Sequence, residues 1–243
     1  MTPVCLCSSL LSEEAIGTLR QRFRMILMPP DNALPEPIRC HPDSIFAMVG
    51  NRLIFSRSYA DAYPGTVEEI VRFSGLRLIL SDAPRGSVYP LDAALNAASG
   101  GDFLLCRTDT AAPEILSAAE QQNLTIVPVR QGYAGCACLI TDRAVLTFDS
   151  GIARVLEARK IPCVLLASGG ISLPGYDCGF FGGACGFFDN TVFINGDPKT
   201  LPCFPQLREF AQASGYSILP LCQSPVTDCG GIRIFDKQQK RLL

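Results

Sequence analysis

A single imidazole, His41, stands two residues before Asp43 in a chain of 243 residues that carries twelve cysteines. Histidine is the side chain whose ordinary pKa lies nearest neutrality, so any imidazole-based acid–base chemistry here runs through this one ring. A carboxylate beside it, such as Asp43, orients the ring or holds a cation. A thiol becomes a nucleophile where a cation or a helix N-terminus favours its ionised form. Cys136, in the run Gln131-Gly132-Tyr133-Ala134-Gly135-Cys136, is the candidate nucleophile, and Cys229 is the alternative. Both also fit the ordinary role of a small buried apolar residue. If His41 and Cys136 face one cavity, the imidazole is expected to lower the pKa of the thiol.

Around these lie candidates for binding a ligand: Asp92, Asn96, Gln131, Tyr133, Gly182, Gly183 and Asp228. The carboxylates of Asp43, Asp92 and Asp228 suit a planar guanidinium, which a carboxylate takes through two parallel hydrogen bonds. Ordinary turn chemistry uses the same residue type. The run Gly182-Gly183-Ala184-Cys185-Gly186 leads into a strand, not a helix. It therefore lacks the helix dipole of a phosphate cradle, and close backbone packing is the better reading. With one histidine and no Cys-x-x-Cys, no metal is expected, and no cofactor motif is present. Cys5 and Cys7, and likewise Cys136 and Cys138, sit at spacing two in apolar stretches, which places each pair on one face of a strand.

The elements that must position these residues repeat along the chain. A short strand, a tight turn, a second strand, a helix and a third strand recur in that order. The turns are Gly50-Asn51, Gly101-Asp102, Asp142-Arg143, Asp189-Asn190 and Asp236-Lys237, all with residues that tolerate hairpin conformations. The markers Asn51, Asp102, Asp142, Asp189 and Asp236 follow one another at intervals of 51, 40, 47 and 47 residues. Helix starts are marked by Ser12, by the capping box Thr66-Val-Glu-Glu69, by Pro113 and by Ser150, with stops at Gly75 and Gly215. One module is split: Val4–Cys7 and Met25–Met28 need a first strand, and Ile232–Phe235 supplies it from the other end. The expectation is one α/β domain over residues 1–243, a five-fold pseudosymmetric ββαβ propeller closed by pairing of its N- and C-terminal strands. Loops that precede the first strand of each hairpin then gather at one mouth of the ring, and most of the candidates lie in or beside those loops.

Composition narrows the function. Hydrophobic residues make up 48% and charged residues 18%, and the formal net charge is −2. A nucleic-acid footprint is basic, so no nucleic-acid partner is expected. The one compact basic group, Lys237, Lys240 and Arg241, fits a solvated tail. No stretch reaches the ~20 apolar residues of a membrane helix, and the N-terminus lacks a signal-peptide pattern. A cytoplasmic protein with reduced thiols and a small-molecule ligand is the expectation.

The repeat order together with His41-Pro42-Asp43-x-x-Phe46 resembles the pentein superfamily of guanidino-group-modifying enzymes. The closer likeness is to a bacterial branch of unassigned activity, carried by His41 to Asp43, Gln131 to Cys136 and Leu173 to Gly183. The resemblance implies a site at the channel mouth and thiol-dependent hydrolysis or transfer on a guanidino or amidino compound. There a cysteine attacks the guanidinium carbon and histidine serves as acid and base. The alternative on the same scaffold is a non-catalytic protein that binds or senses a small molecule.

Overall fold

The computed structural model describes residues 2–236. The basic group Lys237, Lys240 and Arg241, and the second half of the turn at Asp236-Lys237, lie outside the described residues. Five separate three-stranded sheets carry the repeat. In the first, β1 (Val4–Ser8) and β2 (Arg24–Met28) run parallel. In the second, β3 (Phe46–Val49) and β4 (Arg52–Ser56) form a hairpin and β5 (Arg77–Ser81) lies parallel to β4. The same plan is built from β6 (Ala98–Gly100), β7 (Phe103–Cys106) and β8 (Thr125–Pro128). It recurs in β9 (Cys138–Ile140), β10 (Val145–Thr147) and β11 (Cys163–Leu165), and again in β12 (Cys185–Phe188), β13 (Thr191–Ile194) and β14 (Ser217–Pro220). The last strand, β15 (Arg233–Phe235), completes the first sheet. It runs antiparallel to β1, with Val4 opposite Phe235 and Leu6 opposite Arg233. The two ends of the chain thus share one sheet. None of the sheets closes on itself; each is an open ribbon of three strands.

The helices are α1 (Glu13–Arg20), α2 (Pro42–Ile45), α3 (Arg57–Ala62), α4 (Pro64–Ser74), α5 (Pro113–Gln121), α6 (Ala134–Ala137), α7 (Ser150–Ala158) and α8 (Phe204–Ser214). Ser12 caps α1 as expected, its hydroxyl accepting from the amide of Ala15. Gly75 and Gly215 end α4 and α8 in the left-handed conformation, which glycine adopts without a Cβ penalty. Two expected starts are corrected. α4 begins at Pro64 and not at Thr66, because α3 runs up to Tyr63 and the fixed φ of Pro64 suits a first helical turn. α7 is capped by Asp149 and not by Ser150; its carboxylate accepts from the amides of Gly151 and Ile152 at 2.7 and 2.9 Å.

The first strands of the hairpins lie side by side in chain order, β3 against β6, β6 against β9, β9 against β12 and β12 against β15. The loop before β15 then meets α2, where the amide of Asp43 donates to the carbonyl of Gly230 at 3.1 Å. Apolar side chains fill the space between sheets and helices. Cys5 and Cys7 point into one such cluster with Leu19, Phe23, Phe193, Cys229 and Ile232. The strand reading fails for Cys136, which sits in the single turn α6, while Cys138 opens β9. The two therefore face different surroundings. Among the described residues no helix is long and apolar enough to cross a membrane.

Candidate functional site

His41 stands immediately before α2 in an extended conformation, with Pro42 fixing the helical entry. A Cβ on Gly230 would overlap the side chain of His41, and Gly230 has φ +76°, so only glycine lets the chain pass this close. At the far end of α2, Arg85 donates to the carbonyls of Ser44 and Ile45 and pairs with Asp31 at 3.0 Å. Both partners of that pair are buried. One oxygen of Asp43 accepts from the hydroxyl of Ser44 at 3.2 Å, and the other is buried without a hydrogen-bond partner.

Asp228 is held by backbone. Its amide donates to Ser172, and its two oxygens accept from the amides of Phe180 at 2.8 Å and Gly230 at 3.0 Å. The nearer oxygen lies 3.8 Å from Nδ1 of His41. Burial raises the Asp228 carboxyl to about pH 6; the charge of Asp43 adds to this, while His41 and the two amides oppose it.

Asn96 organises α6. Its Oδ1 accepts from the amides of Gly135 and Cys136 at 2.6 and 3.2 Å, and its Nδ2 donates to the sulfur of Cys136 at 3.0 Å. The Tyr133 hydroxyl donates to Asp92 at 2.6 Å, and the second Asp92 oxygen is buried without a partner. Gln131 accepts from the amide of Tyr133 and donates to Asp149, tying this loop to α7.

These elements enclose a cavity of about 240 Å³ whose wall includes His41, Cys136 and Asp228 together with the rings of Tyr133, Tyr176 and Phe180. Asp43, Asp92, Asn96 and Gln131 stand behind that wall and support it. Gly182 and Gly183 do not line it; a Cβ on Gly183 would strike the carboxylate of Asp228, and one on Gly182 the backbone of Cys138. Cys229 also turns away, into the apolar cluster beneath β1, where it meets the carbonyl of Gly183 at 3.3 Å. A larger, more open depression of about 680 Å³ along α7 and β11 is lined by Arg154, Glu157 and Lys160 and contains none of these residues.

His41 and Cys136 thus face one cavity, but the expected effect on the thiol is reversed. Burial pushes the Cys136 thiol well above its ordinary value, and the charges of Asp43 and Asp228 push it further; only Asn96 acts the other way. Ser44, Tyr176, Asp177 and Cys178 also line the cavity and escaped the sequence reading. For Tyr176, Asp177 and Cys178 the signal was the long connection between β11 and β12, which contains the motif running from Leu173 to Gly183; Ser44 lies in α2, one residue after Asp43.

The sequence matches the model of a family of unknown function, DUF6873, over residues 6–233. The chain belongs to that family. No protein of curated function matches the sequence. Solved structures do match in fold. A Cys-to-Ser variant of dimethylarginine dimethylaminohydrolase from Pseudomonas aeruginosa, complexed with citrulline, superposes with a TM-score of 0.57 at 12% identity, over 90% of this chain and 92% of that one. The inosamine-phosphate amidinotransferase of Streptomyces griseus gives 0.53 at 17% identity, over 85% and 72%. The product-bound N-terminal domain of a cyanobacterial arginine dihydrolase gives 0.53 at 12%, over 93% and 91%. All three are pentein-superfamily proteins, and the fold of this chain is theirs.

Proposed function

We propose that the five sheets stand around a central channel and that the cavity at its mouth binds a small cationic molecule through a guanidino or amidino head. The observation that carries this reading is the cavity wall itself, in which Asp228 and His41 meet three aromatic rings while Asp43 lies just behind. A planar cation fits both features, since carboxylates take its N–H groups and aromatic faces attract its charge. Solved structures of similar fold are hydrolases and amidinotransferases, one of them with citrulline bound, and this supports the same ligand class. Thiol-dependent hydrolysis or transfer is the reaction proposed, in a cytoplasmic protein whose thiols are reduced.

A non-catalytic binding or sensing role is the second reading. It is favoured by the protonated state of Cys136, which burial and the charges of Asp43 and Asp228 maintain. One screen tests the ligand class common to both. Arginine, agmatine and methylguanidine are expected to raise the melting temperature more than acetate, phosphate or nucleotides. Stabilisation by the anions alone would reverse the assignment. Release of ammonia or an amine from a stabilising compound then separates the enzyme from the binder.

A further inference from the structure

We propose that this cavity selects a guanidine or amidine whose remaining body is apolar and carries no carboxylate. The inference rests on the guanidino reading above and adds to it the chemistry of the ligand's other end. Away from His41 and Asp228 the wall is apolar. Ile38 and Leu173 line the cavity and are buried in one cluster with Leu34 and Ile45. Tyr176 follows one turn on, its amide donating to the carbonyl of Leu173 at 3.0 Å, and its side chain marks the rim, being 42% exposed. These residues come together where two irregular segments touch, since a Cβ on Gly175 would come within 3.0 Å of the ring of Pro37.

A row of rings leads outward from the carboxylate itself. The amide of Phe180 donates to Asp228 at 2.8 Å, the Phe180 ring lies 6.0 Å from that of Tyr133, and Tyr133 lies 5.8 Å from the exposed ring of Tyr89. Apolar surface therefore runs from the cation-binding pole toward solvent. A ligand held by its head at Asp228 lays its tail along this surface, where each methylene taken out of water adds affinity.

Charge decides what the tail cannot carry. Asp228 is in the wall, Asp43 and Asp92 stand behind it with one buried, unpartnered oxygen each, and Asp177 is exposed at the rim. Among the described residues that line the cavity there is no Lys or Arg. Basic side chains of the surrounding segments are engaged elsewhere. Arg85 pairs with Asp31 at 3.0 Å and Arg107 with Asp109 at 2.8 Å, Arg39 faces Glu36 at 3.9 Å, and Arg233 donates to the carbonyl of Gly135 at 3.3 Å. A carboxylate entering here gives up its water for a place among like charges with no cation to pair it, and both effects reject it. Arginine and dimethylarginine, which appear in the names of proteins of similar fold, are amino acids and bear that carboxylate. The selectivity proposed here is therefore this chain's own.

Calorimetric titration of the full chain near neutral pH with methylguanidine, butylguanidine and 4-guanidinobutyrate tests this; the last two share a chain of the same carbon count. Butylguanidine is expected to bind at least about tenfold tighter than methylguanidine, and 4-guanidinobutyrate at least about tenfold more weakly than butylguanidine. Tyr176→Ala should cut the butyl-to-methyl ratio about threefold or more. Asp177→Lys should strengthen binding of 4-guanidinobutyrate about two- to fivefold, as an exposed ion pair does, and should not strengthen that of butylguanidine. If 4-guanidinobutyrate binds as tightly as butylguanidine, or butylguanidine no tighter than methylguanidine, the selectivity is overturned while the guanidino site stands. If neither methylguanidine nor butylguanidine binds, the guanidino reading falls and the inference falls with it. Should either variant fail to fold, the ligand series on the unaltered chain still decides.

Discussion

Two regions of this molecule are rich in thiols and surround them differently. Beneath β1, Cys5, Cys7 and Cys229 pack against Leu19, Phe23, Phe193 and Ile232. A hydrogen bond with Cys7, and then burial, push the Cys5 thiol well above its ordinary value, and burial does the same for Cys229. Around the cavity, Cys136 receives a hydrogen bond from Asn96 and faces two carboxylates, and Cys178 opens to solvent. The residue type is the same and the neighbours differ. In the first region a cysteine fills volume; in the second it belongs to a polar wall in which His41 pairs with Asp228, backed by an unpartnered oxygen of Asp43. Spacing in the sequence says which strand face a thiol shares, but only the packed neighbours say what the thiol can do.

The comparison breaks most severely if the first region is opened. Deleting residues 229 to 243 removes β15, Cys229 and Ile232, and leaves β1 with a bare edge over an uncovered apolar cluster. Insoluble protein is expected. A soluble truncation with an unchanged melting temperature would mean that the pairing of the chain ends does not hold this region together.

Next in size is a hydroxyl placed among the core thiols. Cys7→Ser buries a stronger donor in the apolar cluster and should cost about 1–3 kcal/mol, read by chemical denaturation. Cys136→Ser should cost less than about 1 kcal/mol, because Asn96 can bond the new hydroxyl. Equal losses would erase the distinction between the two regions.

A smaller effect concerns pH. The Asp228 carboxyl titrates near 6 in the folded chain against an ordinary value of 3.8, so the folded state binds the extra proton between those values. Stability should therefore fall as pH rises from about 4 to 6, by up to about 1.4 kcal/mol per pH unit, and level off above. Asp228→Asn should flatten that slope. A slope unchanged in the variant would mean that the buried charge resides elsewhere.

Much of the scaffold was legible because it is local. Gly50, Gly101 and the pair Asp189-Asn190 all take positive φ at the hairpin turns, and the repeat of such turns revealed the modules. Gly75 and Gly215 announced helix ends for the same reason. The missing strand of the first module was legible as an unpaired pattern at each end. What escaped depends on residues far apart in the chain. The cap of α7 is a local exception: Asp149 and Ser150 are neighbouring cap-forming residues, and it is the Asp149 carboxylate that accepts from the amides of Gly151 and Ile152. The Cys136 thiol was expected to be lowered by His41, but Asp43 and Asp228 converge on it from two other modules. Cys178 lies in an irregular stretch between β11 and β12, where no periodicity marks an inward side chain. Its neighbours become visible only once Phe180 is seen bound to Asp228.

The central claim is that the cavity takes a cation on the Asp228 carboxylate, and calorimetric titration with methylguanidine tests it most directly. Between pH 5 and pH 7.5 the carboxylate, which titrates near 6, passes from largely protonated to ionised. Affinity should rise about tenfold over that range in the unaltered chain and be weak and independent of pH in Asp228→Asn. Binding of equal strength at both pH values, retained in Asp228→Asn, would contradict a cation site at this carboxylate.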